Sequence, residues 1–239
     1  MYSMQAVIRR GSNNTLNQFE RLGYVANDMA NMNTTGYKSV RFEQMLTQDG
    51  YLTGAVRTDY SQGSTRITSN PYDVAITDAG FIPVVSPSGE VAYTRDGSFK
   101  QGKEGYLMTN DDWIVGEGIK IPTNCYKFEI KPNGEVFSYD TATSDPRKLG
   151  TIPLVRFDNP ESLDDIGMNK VAPNDETGSP ILVKNHSCFA QNNIETSNIN
   201  IYDNVGNMLR LNASMIASMR MMKVVDDMYN KAITMREGS

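Results

Sequence analysis

Residues 25–39 read VANDMANMNTTGYKS, and the stretch carries two signals at once. Val25, Ala26, Met29 and Met32 recur every three or four residues, the period of a helix with one apolar face. Asn27, Asn31 and Asn33 are interleaved with them, although asparagine is a middling helix former whose amide competes for backbone hydrogen bonds. Such a helix either bonds its amides across an interface between copies or lines a solvated face with them. An unpaired buried amide would cost about 1–3 kcal/mol.

The same period runs upstream through Met4, Ile8, Leu16, Phe19 and Leu22, with a polar gap at residues 11–15. Downstream, Asn33-Thr34-Thr35-Gly36 ends it, because glycine readily takes the left-handed conformation that stops a helix. The far end of the chain matches. Ile201, Val205, Met208, Asn212, Met215, Met219, Met222, Asp226, Tyr229 and Ile233 are spaced alternately by four and three, a heptad seam. Met221 and Val224 lie well round the cylinder from it, so this helix has apolar residues on several sides and needs cover on several sides. One partner helix in cis leaves faces for partners in trans.

Between the helices the texture changes to short runs punctuated by glycine and proline. Residues 126–131 alternate apolar and polar, and Pro132-Asn133-Gly134 turns them into Glu135-Val136-Phe137, a hairpin signal. Residues 91–94 and 151–155 read as further strands, and 39–60 as a polar, partly ordered connector. The expected class is α+β. Long terminal helices (1–38 and 197–239) pair as a coiled-coil-like domain, and a mainly β domain spans 61–196.

Composition excludes several functions. The 239-residue chain is 39% hydrophobic, enough for a core, and its net charge of −5 leaves no basic footprint for nucleic acid. No apolar run approaches the roughly 20 residues of a membrane span. The N-terminus lacks the order of a cleaved secretory signal, so any export would proceed without one. Two cysteines, Cys125 and Cys188, are too few to staple a chain this size and read as free thiols.

Catalytic and ligand motifs are poor. His186 is the only histidine, and with Cys188 it lacks a second pair of metal ligands at a plausible spacing. Gly116-Glu117-Gly118 reads as a turn rather than a dinucleotide loop, and Asn110-Asp111-Asp112 as a solvated turn rather than a calcium loop. Matches to the glycosylation pattern at Asn13, Asn33, Asn185 and Asn212 carry no weight, since the pattern is common. No catalytic residue, metal, cofactor or small-molecule substrate is expected.

The particular residues say more than their class. Residues 25–38, with Asn27, Asn31, Asn33, Thr35 and Gly36, closely resemble the N-terminal signature of bacterial flagellar rod and hook proteins, A-N-N-L-A-N-x-N-T-x-G-[FY]-K. Gln62 and Gly63, then Asn70, Pro71 and Asp73, resemble that family's S-Q-G and T-x-N-P-L-D runs. Thr94, Arg95 and Gly97 resemble its Y-T-R-[DN]-G-x-F segment, and Ser197 and Asn198 the entry to its closing helix. The four motifs fall in the family's order and cover nearly the whole chain.

The resemblance implies a structural subunit, not an enzyme, that polymerises helically through its terminal helices around a central export channel. Its partners would be copies of itself, other rod and hook axial proteins and the flagellar type III export apparatus. Its place would be the basal body in the cell envelope, without membrane insertion. Residues 219–227 look closer to proximal-rod relatives, so that type is favoured over the distal one; the short chain argues against a hook subunit. The packing residues expected are Ile8, Leu16, Phe19, Leu22, Met29, Val205, Met208, Met215, Met219 and Met222. A soluble binding module or assembly factor whose helices close on each other is the competing reading.

Overall fold

The computed structural model describes residues 4–184 and 186–237; Asn185 and the extreme ends of the two expected terminal segments lie outside the described residues. The chain divides into two compact units. One holds the ends of the chain, with residues 40–57 and 199 onward joined to the stretch up to Ala30. The other holds residues 31–39 and 58–198.

The terminal unit is built on helix α1, Met4–Ala30, and helix α2, Ile201–Glu237. At 37 residues α2 is about 55 Å long. Asn200 starts it: its side-chain oxygen accepts the Tyr202 N–H at 3.1 Å and its carbonyl accepts the Asn204 N–H at 3.0 Å. Gly11 of α1 meets Met222, Asn14 meets Ser218 and Gln18 meets Ser214, so the two helices run antiparallel. α1 stops at Ala30, a few residues before the expected Gly36.

The segment expected as a polar connector holds a hairpin instead. Strands β1, Val40–Leu46, and β2, Leu52–Thr58, pair with each other. Gly50, at φ +78°, makes the turn by donating its N–H to the Thr47 carbonyl. The hairpin's strands are much exposed, and what holds them is side chains of α1 distant in sequence, which local propensity does not show.

The central unit is mainly β. Seven antiparallel strands form its largest sheet, in the order Asp164–Gly167, Lys170–Ala172, Val91–Thr94, Ile82–Val85, Ile114–Val115, Leu107–Thr109 and Phe99–Gln101. A second sheet joins Lys127–Ile130, Glu135–Tyr139 and Arg147–Thr151, with Gly134 at φ +80° in the hairpin turn that the sequence marks. Residues 151–155, expected as one strand, instead split between the end of Arg147–Thr151 and the start of Val155–Arg156. Val74, Ile76, Ile82, Val84, Leu107, Val115, Val136, Ile152 and Leu154 make a core with no exposed surface. Late strands close back on early ones: Phe189–Gln191 pairs with Val74–Ile76, and Asn193–Glu195 with Thr65–Ile67.

Candidate functional site

Helix α1 is covered along two lines of polar residues. Toward β1 and β2 it presents Arg10, Asn13, Asn17, Arg21, Tyr24 and Asp28, spaced by three and four. Asn13 Oδ1 accepts the Leu52 N–H at 2.7 Å and Asn17 Nδ2 donates to the Leu52 carbonyl at 3.1 Å, so two amides clamp the backbone of one residue of β2. Arg10 donates to the Asp49 carbonyl, Arg21 to Gln44, and Tyr24 packs on Phe42 with ring centroids 5.7 Å apart. The Asp28 carboxylate accepts the Val40 N–H. Toward α2 it presents Gly11, Asn14 and Gln18. Within the expected polar gap at residues 11–15, Gly11, Asn13 and Asn14 are therefore packed, while Ser12 is exposed.

One uncovered stripe is apolar or small: Ser12, Leu16, Phe19, Gly23, Ala26 and Ala30, again at heptad spacing, with the charged or polar Arg9, Glu20 and Asn27 exposed beside it. Leu16 is 69% exposed and Phe19 65%, whereas Asn17 and Gln18, beside them in sequence, are each 7% exposed. The usual pattern of a surface helix is reversed. Full burial of a leucine or phenylalanine side chain is worth about 1.5–3 kcal/mol, so this face has much to gain from cover.

Helix α2 repeats the theme. Its covered line is Asn204, Met208, Leu211, Met215, Ser218, Met222 and Val225. The expected seam shares only Met208, Met215 and Met222 with it; Val205, Met219, Tyr229 and Ile233 are exposed, and buried Leu211 was not foreseen. Tyr202, Val205, Leu209, Ile216 and Met219 form one exposed stripe and Met221, Val224, Met228 and Met235 another. Of the other packing candidates, Ile8, Leu22 and Met29 are half-buried.

The signature residues of the central unit converge on a different feature, a buried polar neck around Glu195. The Glu195 carboxylate is fully buried. Its Oε1 accepts Lys38 Nζ at 2.6 Å and the Gly63 N–H at 2.8 Å, and its Oε2 accepts Arg95 Nε at 3.0 Å. Arg95 is held in turn by the Gly80 carbonyl at 2.7 Å and by Gln62 Oε1 at 2.8 Å. Lys38 also donates to the Ser61 carbonyl; burial, and secondarily the nearby Arg95 guanidinium, pulls its pKa below the ordinary lysine value.

Beside this cluster Asn198 ties three stretches of backbone. Its Oδ1 accepts the Ser39 N–H at 2.8 Å, its Nδ2 donates to the Asp59 carbonyl at 2.7 Å, and the Asp59 N–H donates to the Ser39 carbonyl. Gly36, at φ +69°, donates its N–H to the Glu195 carbonyl at 2.9 Å. A side chain at Gly63 would strike the Thr196 carbonyl, which explains the glycine there. Both oxygens of the Glu195 carboxylate are thus engaged by cations and a backbone N–H of the chain itself.

The other signature residues serve local geometry. Asn70 Nδ2 donates to Asp73 at 2.7 Å, and the Pro71 carbonyl accepts Gln191 Nε2 at 2.7 Å. Buried Gly97 lets its carbonyl accept the Val74 N–H. Thr94 donates to the Asn169 carbonyl, and Asn169 donates to the Thr35 carbonyl. Ser197 is half-buried. Asn31 accepts from Thr34 Oγ1 at 3.1 Å, while Asn27 and Asn33 are exposed. The interfacial amides are thus Asn13, Asn14, Asn17 and Gln18, whose i, i+4 spacing was a legible signal. Nothing in the sequence singled out Glu195.

Elsewhere Cys125 and Cys188 are free, and His186 packs edge-on against Phe189. Among the described residues no histidine, cysteine and carboxylate group is arranged to hold a metal, and no helix is long and apolar enough to cross a membrane.

Comparison with known proteins adds a family. Residues 75–138 match the model of the flagellar hook protein FlgE/F/G D1 domain. The flagellar basal-body rod protein FlgG of Caulobacter vibrioides is 27% identical over 241 residues, covering 89% of this chain and 92% of the relative. FlgG of Borreliella burgdorferi is 31% identical over 192 residues, covering 70% and 72%. The flagellar hook protein FlgE of Rhizobium meliloti is 34% identical over 151 residues, but only 36% of that protein is covered.

Proposed function

Since this chain belongs to the flagellar rod and hook protein family, a family of structural proteins rather than enzymes, we propose that it is a subunit of the flagellar basal-body rod. In this reading the terminal helices pair as a coiled-coil-like inner layer. Copies stack helically through them around the export channel, and the polymer transmits torque as a drive shaft. Its neighbours are further copies and other axial proteins, and the type III apparatus delivers it to the basal body within the cell envelope.

The observation that carries the reading is the reversed face of α1. A chain that buries Asn17 and Gln18 while leaving Leu16 and Phe19 in water is incomplete alone, and α2 has two further apolar stripes in the same condition. A self-contained binding module would bury those stripes in cis. The short match to the hook protein favours the rod over the hook. Relatives named FlgG favour the distal-rod type, not the proximal type suggested by residues 219–227.

Met219→Asp tests the proposal. Met219 is exposed, so the variant should melt as the parent does yet fail to enter the basal body and fail to restore motility. A variant that still builds rods would overturn it.

A further inference from the structure

The neck is held together differently from the rest of the central unit. Lys38, Gly63, Arg95, Glu195 and Asn198 belong to neither apolar cluster of the described residues, although Tyr60, in the same stretch as Gly63, packs on Phe81 of the smaller one; hydrogen bonds and ion pairs join the five across sequence separations such as the 157 from Lys38 to Glu195. Two cations share one carboxylate, and all three side chains are nearly or fully buried. Such a cluster is tolerable only when complete. Removing one partner strands a charge in a low-dielectric site, and the penalty for that exceeds the worth of any single remaining bond.

A half-formed neck is therefore the least favourable arrangement. Lys38 with Glu195 absent, or Arg95 with Glu195 absent, leaves a buried cation facing only carbonyl oxygens. The backbone donors follow the same logic, since each depends on a group within the neck. Gly36 and Gly63 donate to Glu195, Ser39 donates to Asn198, and Asp59 donates to Ser39.

We propose that residues 36–39, 59–63 and 195–198 form a two-state closure keyed on Glu195, which opens and closes as one unit while the apolar core of the central unit stays folded. In the chain these segments adjoin β1, β2 and, two residues on, α2. This goes beyond the rod assignment and does not depend on it.

Native-state hydrogen exchange on the full-length chain, resolved to single amides, tests it. The Gly36, Ser39, Asp59 and Gly63 amides should share one opening constant, at least tenfold larger than those of the amides Leu107, Ile121 and Ile152 of the main core. Glu195→Gln should speed all four neck amides by a common factor of about 10² to 10³, the cost of breaking a buried ion pair, and leave the three core amides within threefold of the parent. Asn198→Ala, which leaves the ion cluster intact, should speed the same four by a common factor of its own. Factors that scatter more than tenfold among the four would overturn the proposal. So would unchanged exchange, acceleration of the core along with the neck, or a Glu195→Gln chain that fails to fold.

Discussion

Gln18 Nε2 donates to Ser214 Oγ at 2.8 Å, joining α1 to α2 across 196 residues of chain through two polar side chains. The next residue, Phe19, faces solvent. Here a polar contact serves the chain's own fold while the neighbouring apolar ring is left over.

Phe19→Ser should therefore be nearly silent in the isolated chain, with stability changed by less than about 0.5 kcal/mol, as for surface substitutions generally. In cells it should remove motility and basal-body incorporation. Thermal melting and a complementation assay check the two halves; a large loss of stability would mean that Phe19 already has a partner within the subunit.

Asn17→Ala makes the opposite case. Alanine favours the helix but takes the donor from the Leu52 carbonyl, leaving β2 held by Asn13 alone. The expected cost is about 1–3 kcal/mol, with faster hydrogen exchange confined to residues 40–58. Urea denaturation and peptide-level exchange measure it, and unchanged protection of the hairpin would contradict the clamp.

Two glycines should respond with opposite sign. At Gly63 an added methyl strikes the Thr196 carbonyl, so Gly63→Ala should destabilise by about 1–3 kcal/mol or more. At Gly206, inside α2, nothing lies within 4 Å of the added methyl, so Gly206→Ala should stabilise the isolated chain by about 0.5–1 kcal/mol. Melting temperatures of the two variants decide the matter.

Tyr60 gives a pH dependence. Burial pushes its phenol pKa up from 10.0 to about 12. Between those values the unfolded chain loses a proton that the folded chain keeps, so the fold weakens as pH climbs from 10 and has lost about 2–3 kcal/mol by pH 12. Below pH 10 the group contributes no slope. Tyr60→Phe should lack this alkaline loss when both chains are unfolded in urea at pH 8 and 11.5; Lys38, common to both, cancels in the comparison. A parallel pair of curves would exclude the effect.

Much of the site was legible in part only. Gly36, Gln62, Gly63, Arg95 and Asn198 stood out through their motifs, yet their convergence did not, because contacts such as Arg95–Glu195 and Asn198–Asp59, 100 and 139 positions apart, leave no local pattern. Glu195 was the least visible of all. It is one acidic residue among 28 aspartates and glutamates, and only its burial beside Lys38 and Arg95 distinguishes it.

By itself the sequence determined helices at both ends, a β-rich centre, the hairpin at Asn133-Gly134 and the resemblance to an axial protein. Period, turn chemistry and motif order are properties of neighbouring residues, and no distant contact can alter them. The tertiary structure decided which face of each helix is covered. Periodicity states that stripes exist, but the amides of Asn13 and Asn17 needed the N–H and carbonyl of a particular residue, Leu52, before their face could be the buried one. With that face taken, Leu16 and Phe19 could only point outward.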